Sequence, residues 1–162
     1  MRIIKPRMKI YITSGIGSGR TELSAFDDAL FKAGVANFNL ILLSSIIPPG
    51  TKVEKVQSLN WNNENYGHRL YCVLSRYAIS TPGKEAWAGI GYVQADDGSG
   101  LFVEHHADNK TELVRLIDYS LEDMQSYRNL TYGKIQYIMS GIECTDRPVC
   151  ALAIAAYSSQ AW

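Results

Sequence analysis

Two adjacent hydroxyl groups interrupt an apolar stretch of the chain. In LLSSIIPPG, residues 42–50, Ser44 and Ser45 lie between two aliphatic pairs, and Pro48 and Pro49 follow. One interpretation is structural: both hydroxyls cap backbone groups at the end of a strand that the prolines terminate. The other is chemical, and it is self-cleavage of the backbone between the two serines.

Self-cleavage would use the Ser45 hydroxyl as a nucleophile against the carbonyl carbon of Ser44, which converts the amide into an ester. Loss of the Ser44 carboxylate by β-elimination leaves dehydroalanine at position 45. Hydrolysis then gives a pyruvoyl group at a new N-terminus. Such a rearrangement needs a rigid, strained turn and a donor for the oxyanion. A buried strand end held by aliphatic residues and two prolines could supply that rigidity.

Two other patterns indicate chemistry less strongly. His105 and His106 are adjacent, but neighbours on a strand face opposite sides, and no ligand cluster with metal spacing accompanies them. We therefore predict no metal site; His106 shares a strand face with Glu104 and could tune that carboxyl group. GIGSGR, residues 15–20, resembles a phosphate loop but lacks the Gly-Lys-Ser/Thr ending and the dinucleotide fingerprint, so we interpret it as a glycine-rich turn.

Length and composition limit the class of protein. The 162 residues suggest one domain, 1–162, and 16 basic against 16 acidic side chains argue against nucleic-acid or anionic-membrane partners. A chain near neutrality tends to associate, which favours an oligomer. The basic N-terminus MRIIKPRMK lacks the apolar core of a signal peptide. Cys72, Cys144 and Cys150 lack metal spacing and indicate reduced thiols in the cytoplasm.

Hydrophobic periodicity predicts two helices and about seven strands. The helices are expected at 21–34, between a Thr21 cap and Gly34, and at 110–129. The strands are expected at residues 9–15, 37–47, 68–80, 85–95, 101–106, 134–143 and 149–159. The segment 50–67, rich in Asn, is expected to form a loop or short irregular strands.

This order of elements favours an α+β layered sandwich over a doubly wound sheet. Small residues repeat along the later strands: Ala151, Ala153 and Ala155 share one face of the last strand, and Gly89 and Gly91 share one face of a middle strand. Such faces allow two sheets to approach closer than the usual distance of about 10 Å. We predict a four-layer αββα sandwich of two mainly antiparallel sheets packed through small residues, although ordinary use of Ala and Gly would give the same pattern.

Three stretches resemble the pyruvoyl-dependent arginine decarboxylases. They are ELSAFDDALFKAGVANFNLILLSSIIPPG at 22–50, GLFVEHH at 100–106, and the Ala-rich C-terminal strand. Members of that family are made as proenzymes that cleave themselves within a Ser-Ser pair followed by a hydrophobic-Pro-Pro segment. The resemblance, which covers nearly the whole chain, implies cleavage into a β chain, 1–44, and an α chain, 45–162. It also implies trimers, sometimes paired into hexamers, with active sites at subunit contacts.

The resemblance extends to individual residues. Ser45 matches the serine that becomes the covalent pyruvoyl cofactor, and Ser44 matches the residue that becomes the new C-terminus beside the substrate. Asn39 matches an asparagine that assists cleavage, and we expect it to polarise the Ser44 carbonyl. Asp27 matches the acid that recognises the substrate guanidinium, and Glu104 matches the general acid. The apolar residues lining the pocket are matched by Leu23 and Leu30, which lie at i−4 and i+3 from Asp27 and so share its helix face.

The reaction implied is the conversion of L-arginine into agmatine and carbon dioxide. A pyruvoyl carbonyl forms a Schiff base with the substrate α-amine and accepts the electrons that decarboxylation releases. Glu104, kept protonated in a desolvated pocket, would then protonate Cα. Two alternatives stay open: the same chemistry on another amino acid, and an uncleaved, non-enzymatic oligomeric sandwich protein.

Overall fold

The computed structural model describes residues 7–162 of the chain. Most of the basic N-terminal stretch falls within residues 1–6 and lies outside the described residues. In the described part, nine strands and two helices follow one another. They are β1 Met8–Ser18, α1 Glu22–Ala33, β2 Asn39–Leu42, β3 Ile46–Ile47, β4 Thr51–Lys55, β5 Arg69–Ile79, β6 Glu85–Gln94, β7 Gly100–Ala107, α2 Lys110–Ser126, β8 Gln136–Glu143 and β9 Val149–Gln160.

The strands form two sheets that pack face to face between the helices. The first sheet has the order β2-β5-β9-β1-β4, and the second has the order β3-β7-β6-β8. Only the outer pairs of the first sheet, β2 with β5 and β1 with β4, are parallel. Helix α1 packs on the outer face of the first sheet and α2 on that of the second. The predicted four-layer αββα sandwich is confirmed.

The small residues of β9 and β6 face different layers of the sandwich. Ala153 and Ala155 of β9 lie in the cluster between the two sheets, as predicted, whereas Leu152 and Ile154 pack towards α1. The glycines of β6 face the other way. A Cβ on Gly91 would lie 2.1 Å from Ile117 of α2, so this glycine allows the helix, and not the opposite sheet, to approach closely.

The glycine-rich turn predicted at residues 15–20 is wrong, because β1 continues through these residues to Ser18. A Cβ on Gly15 would lie 2.5 Å from the Ala29 carbonyl oxygen, and one on Gly17 would lie 2.3 Å from the Ala29 nitrogen. The residues of α1 closest to these glycines are alanines: Ala25, Ala29 and Ala33. The glycines therefore serve a close contact between helix and strand, as in β6.

The ends of α1 confirm the prediction. The Thr21 side chain accepts a hydrogen bond from the Ser24 N–H, and Gly34 adopts a left-handed conformation with φ of 90°. Helix α2 ends at Ser126, before the predicted end at residue 129. Neither helix of the described chain is long and apolar enough to cross a membrane.

The single strand predicted at 37–47 is wrong, because the structure divides it between the sheets. Strand β2 pairs with β5 in the first sheet, and β3 pairs with β7 in the second. Residues 43–45, which include both serines, carry the chain across. Within the segment 50–67, residues Thr51–Lys55 form strand β4, parallel to β1.

The close approach of α1 to β1 can be tested by Gly17→Val. The added side chain would collide with backbone atoms of Ala25 and Ala29, so we expect the free energy of unfolding to fall by about 1–3 kcal/mol or more. Chemical denaturation measures this loss. Ile16→Thr on the opposite face of the same strand is the control and should change stability by only about 0.5 kcal/mol. Equal losses in the two variants would contradict the packing argument.

Candidate active site

Residues 43–45 form a tight crossing that is held from both sheets. The Leu43 N–H donates to the Cys72 carbonyl of the first sheet at 2.9 Å, and the Ser45 carbonyl accepts from the Phe102 N–H of the second sheet at 2.8 Å. Between these anchors Ser45 is buried and has φ of 74°. A left-handed conformation is unfavourable for a residue with a side chain, so the backbone at Ser45 is strained.

The Ser45 side chain meets Glu104, which is 59 residues away in sequence. The hydroxyl lies 2.7 Å from Oε1 and 2.8 Å from Oε2 of Glu104 and donates to this carboxylate. Because Ile46 pairs with Leu101 in the β3–β7 ladder, Ser45 lies beside the start of β7. Of the residues singled out in the sequence, Ser45 and Glu104 are thus brought into direct contact.

Burial dominates the electrostatics around this contact. It raises the pKa of the Glu104 carboxyl, and the hydrogen bond from Ser45 lowers that pKa in part. Burial also raises the pKa of the Tyr157 phenol, which the nearby Glu104 charge raises further, and it raises the pKa of the Cys72 thiol to about 12. The neighbouring phenol and thiol therefore stay neutral at ordinary pH.

Tyr157 is a part of this site that the sequence did not indicate. Its hydroxyl donates to the Ile46 carbonyl at 2.8 Å, and its ring packs edge-on against Phe102 with 6.0 Å between ring centroids. A tyrosine after an Ala-rich strand carries no local signal of such a contact. Only the packing of β9 against the second sheet brings it to residue 46.

The other matched residues do not contact Ser45 in this structure. Asp27 and Leu23 are exposed on α1, and Leu30 is buried in the cluster beneath that helix. Asn39 is exposed at the start of β2, where its side-chain N–H donates to the Gly67 carbonyl at 2.9 Å. The roles expected of these four residues stay predictions.

The two neighbouring acids of α1 differ in their contacts. Asp28 accepts from the Ser18 N–H at 2.9 Å and from Lys32 at 3.0 Å, and the Ser18 and Lys32 contacts outweigh burial and lower its pKa. The carboxylate of Asp28 is thus used within the fold. Asp27 points from a different side of the helix and is exposed, as expected for a residue available to a ligand.

A surface cleft of about 420 Å³ connects the α1 flank with the strand that carries Glu104. Leu23, Phe26, Arg76 and His106 are among its lining residues. His106 follows Glu104 by two residues and so lies on the same face of β7. A larger cavity of about 890 Å³ runs along β1 and is lined by neither Ser45 nor Glu104.

The adjacent histidines point in opposite directions, as predicted. Nε2 of His105 lies 2.6 Å from the Ser120 hydroxyl of α2, while the His106 ring packs against Tyr77 at 4.6 Å between centroids. Within residues 7–162, no group of three or more His, Cys, Asp or Glu side chains could hold a metal ion.

Comparison with known proteins identifies the family. Residues 9–161 match the family model of pyruvoyl-dependent arginine decarboxylases. The chain is 32% identical to the pyruvoyl-dependent arginine decarboxylase of Methanothermobacter thermautotrophicus over 141 residues, 86% of this chain and 82% of the relative. It is 29% identical to that of Pyrococcus furiosus over 155 residues, 94% and 96% of the two chains.

Other matches are shorter. The chain is 39% identical to the enzyme of the same name from Picrophilus torridus over 107 residues, 64% of this chain, and the match spans 58% of that relative's length. The family model nevertheless covers almost every described residue, including both serines and Glu104. The chain belongs to the pyruvoyl-dependent arginine decarboxylase family.

Proposed function

We propose that this chain is a self-cleaving precursor whose mature form decarboxylates L-arginine to agmatine and carbon dioxide. The observation that carries the proposal is the contact of a strained, buried Ser45 with the Glu104 carboxylate. Family membership supplies the reaction class and the substrate class. A serine that only caps a strand end would require neither a left-handed backbone nor a carboxylate partner between two sheets.

Glu104 is the base in the cleavage step. As the Ser45 oxygen bonds to the Ser44 carbonyl carbon, its proton passes to the Glu104 carboxylate, and the C–N bond between the serines breaks to leave an ester and a free amine. Loss of the Cα proton then expels the Ser44 carboxylate. Water replaces the amine as ammonia leaves, which yields chains 1–44 and 45–162 with a pyruvoyl group at position 45.

Glu104 is the acid in the mature enzyme. The pyruvoyl carbonyl supplies the group that binds the substrate α-amine and accepts the electrons of decarboxylation. Burial, the largest influence on Glu104, favours its protonated form, so the carboxyl can return a proton to the substrate Cα. Asp27 would pair with the guanidinium from the exposed flank of α1, one turn after Leu23, which lines the cleft.

We further propose that the mature enzyme is a homotrimer, or a hexamer of two trimers, in the cytoplasm. Large apolar side chains are exposed beside the crossing and on α1: Leu42 is 62% exposed, Ile46 51%, and Leu23 of α1 75%. A neighbouring protomer that covers them would exclude water from the site and could bring its own exposed Asn39 towards residue 45. All three cysteines are free and buried, in keeping with a reducing compartment.

Cleavage at Ser45 is the first prediction of this proposal. The wild-type chain should separate into fragments 1–44 and 45–162, the second blocked by a pyruvoyl group, whereas Ser45→Ala should stay intact because it lacks the nucleophile. Intact mass spectrometry and a denaturing gel measure both. Ser44→Ala is the matched control and should still cleave, since its side chain does not attack. A wild-type chain that stays whole after prolonged incubation would contradict the proposal.

Substrate recognition by Asp27 gives the second prediction. Asp27→Ala removes the charge that would pair with the guanidinium, so kcat/KM for arginine should fall by about 10- to 100-fold or more while cleavage stays intact. Agmatine production measures the loss. Asp28→Asn is the control, because Asp28 bonds within the fold, and it should keep most of the activity. Unchanged arginine turnover in Asp27→Ala would point to another amino acid as substrate.

The two roles of Glu104 give a prediction about pH. Cleavage needs the carboxylate, so its rate should rise with pH through the raised pKa of Glu104; decarboxylation needs the acid, so kcat should fall as pH rises through that pKa. Glu104→Gln should abolish decarboxylation and slow cleavage, because an amide oxygen still accepts from Ser45 but takes up no proton. Denaturing gels of samples quenched at successive times measure cleavage at each pH. Steady-state kinetics measure decarboxylation over the same pH range. Parallel profiles would exclude this assignment.

A further inference from the structure

We propose that Tyr157 is a positioning residue that holds residue 45 in place once Ser44 has been released. The inference rests on the proposed function, because it concerns the mature, cleaved chain. Its basis is the hydrogen bond from the Tyr157 hydroxyl to the Ile46 carbonyl at 2.8 Å. Ile46 is the residue that directly follows the reactive position.

Two successive carbonyls after the cleavage point are held from two different sheets. The Ser45 carbonyl accepts from the Phe102 N–H in the second sheet, and the Ile46 carbonyl accepts from Tyr157 in the first. Both groups survive cleavage, since the bond that breaks lies before Ser45. Together they restrict rotation of the backbone around residue 46 and thereby orient the group at position 45.

These anchors matter more after cleavage than before it. In the precursor, residue 45 is also tied from its N-terminal side, through the Leu43 N–H to the Cys72 carbonyl. Cleavage removes that tie. What remains is β3, a strand of two residues that pairs only with Leu101 and Gly100, and a new chain end of this kind frays readily.

The backbone of β9 is shaped to present Tyr157. In the ladder of β5 with β9, Tyr71 pairs with Ser158 and Cys72 pairs with Ala156, so Tyr157 is an extra residue without a partner on β5. Such a β-bulge re-aims a side chain and increases the local twist. Here the bulge occurs at Tyr157, whose hydroxyl reaches the Ile46 carbonyl just after the crossing, and the ring is seated against Phe102 between the sheets.

The position of Tyr157 determines which kinetic constant it should affect. Its hydroxyl contacts the segment that bears the reactive group, whereas the cleft beside α1 is lined by other residues. Removing the hydroxyl should therefore lower kcat by misplacing the group at position 45 and leave KM for arginine nearly unchanged. A tyrosine with only a structural role would change stability without a selective loss in kcat over KM.

The test compares Tyr157→Phe with Tyr92→Phe in the mature protein, which contains both cleavage products, 1–44 and 45–162. Tyr92 is a matched control: its ring also packs against Phe102, at 5.7 Å, and its hydroxyl also makes one hydrogen bond, to Gln136 at 3.2 Å, away from residue 46. Both variants should lose similar stability. Only Tyr157→Phe should lose about fivefold in kcat, the worth of one neutral hydrogen bond, with KM changed by less than about twofold.

A second readout does not depend on turnover. Hydrogen–deuterium exchange, followed by mass spectrometry, should show faster exchange in residues 45–50 of Tyr157→Phe than in Tyr92→Phe or the wild type. Equal kcat and equal exchange in the two variants, or a change in KM alone, would overturn the inference. A wild-type chain that neither cleaves nor turns over arginine would instead refute the proposed function, and the exchange comparison would still show whether Tyr157 anchors the segment.

Discussion

The chain must pass from the edge of one sheet to the edge of the other within three residues, and the site depends on this constraint. Strands β2 and β3 are edge strands of different sheets, and Ser45 makes the turn between them with φ of 74°. Glycine would adopt that conformation freely, whereas a serine there costs on the order of 1–3 kcal/mol. The position therefore carries a hydroxyl group at the expense of backbone strain, and hydrogen bonds from both sheets hold the segment in place.

The crossing is short because the layers are thin. Ala153 and Ala155 form part of the inter-sheet face of β9, and Ala86 and Ala88 line the facing cluster from β6. Glycines in the strands beneath α1 and α2 likewise allow each helix to lie close to the strand backbone. This packing brings Glu104 of the second sheet near Tyr157 of the first and partly buries the carboxyl group between them.

Local sequence signals predicted the elements that are regular and self-contained. Thr21 and Gly34 mark the ends of α1, and alternation along β9 assigned its two faces correctly. The predictions that proved wrong share a cause. Each rests on the residues of a single strand or turn, whereas the conformation there depends on the elements that pack against it. Gly15 and Gly17 indicate a turn in isolation, and only the alanine face of α1 explains them in a strand.

The contacts of the candidate site are even harder to predict from local sequence. The contact between Ser45 and Glu104 spans 59 residues, and no spacing rule predicts it; only the resemblance to a known family paired the two. The apolar run 37–47 concealed the crossing, because both of its halves are strands. Tyr157 had no signal, since a β-bulge depends on the register with β5 and not on the residue itself.

In the proposed mechanism, cleavage would change the electrostatics of Glu104, the residue on which it depends. In the precursor, the hydroxyl of Ser45 donates to Glu104 and lowers its pKa, which favours the carboxylate that must accept a proton. In that mechanism, formation of the pyruvoyl group would remove the donor and leave burial less opposed, which would raise the pKa of Glu104 further and favour the acid form. Under the proposed function, the same carboxyl group would be suited to the base role before cleavage and to the acid role after it, because the reaction would consume the hydrogen bond that stabilises the carboxylate.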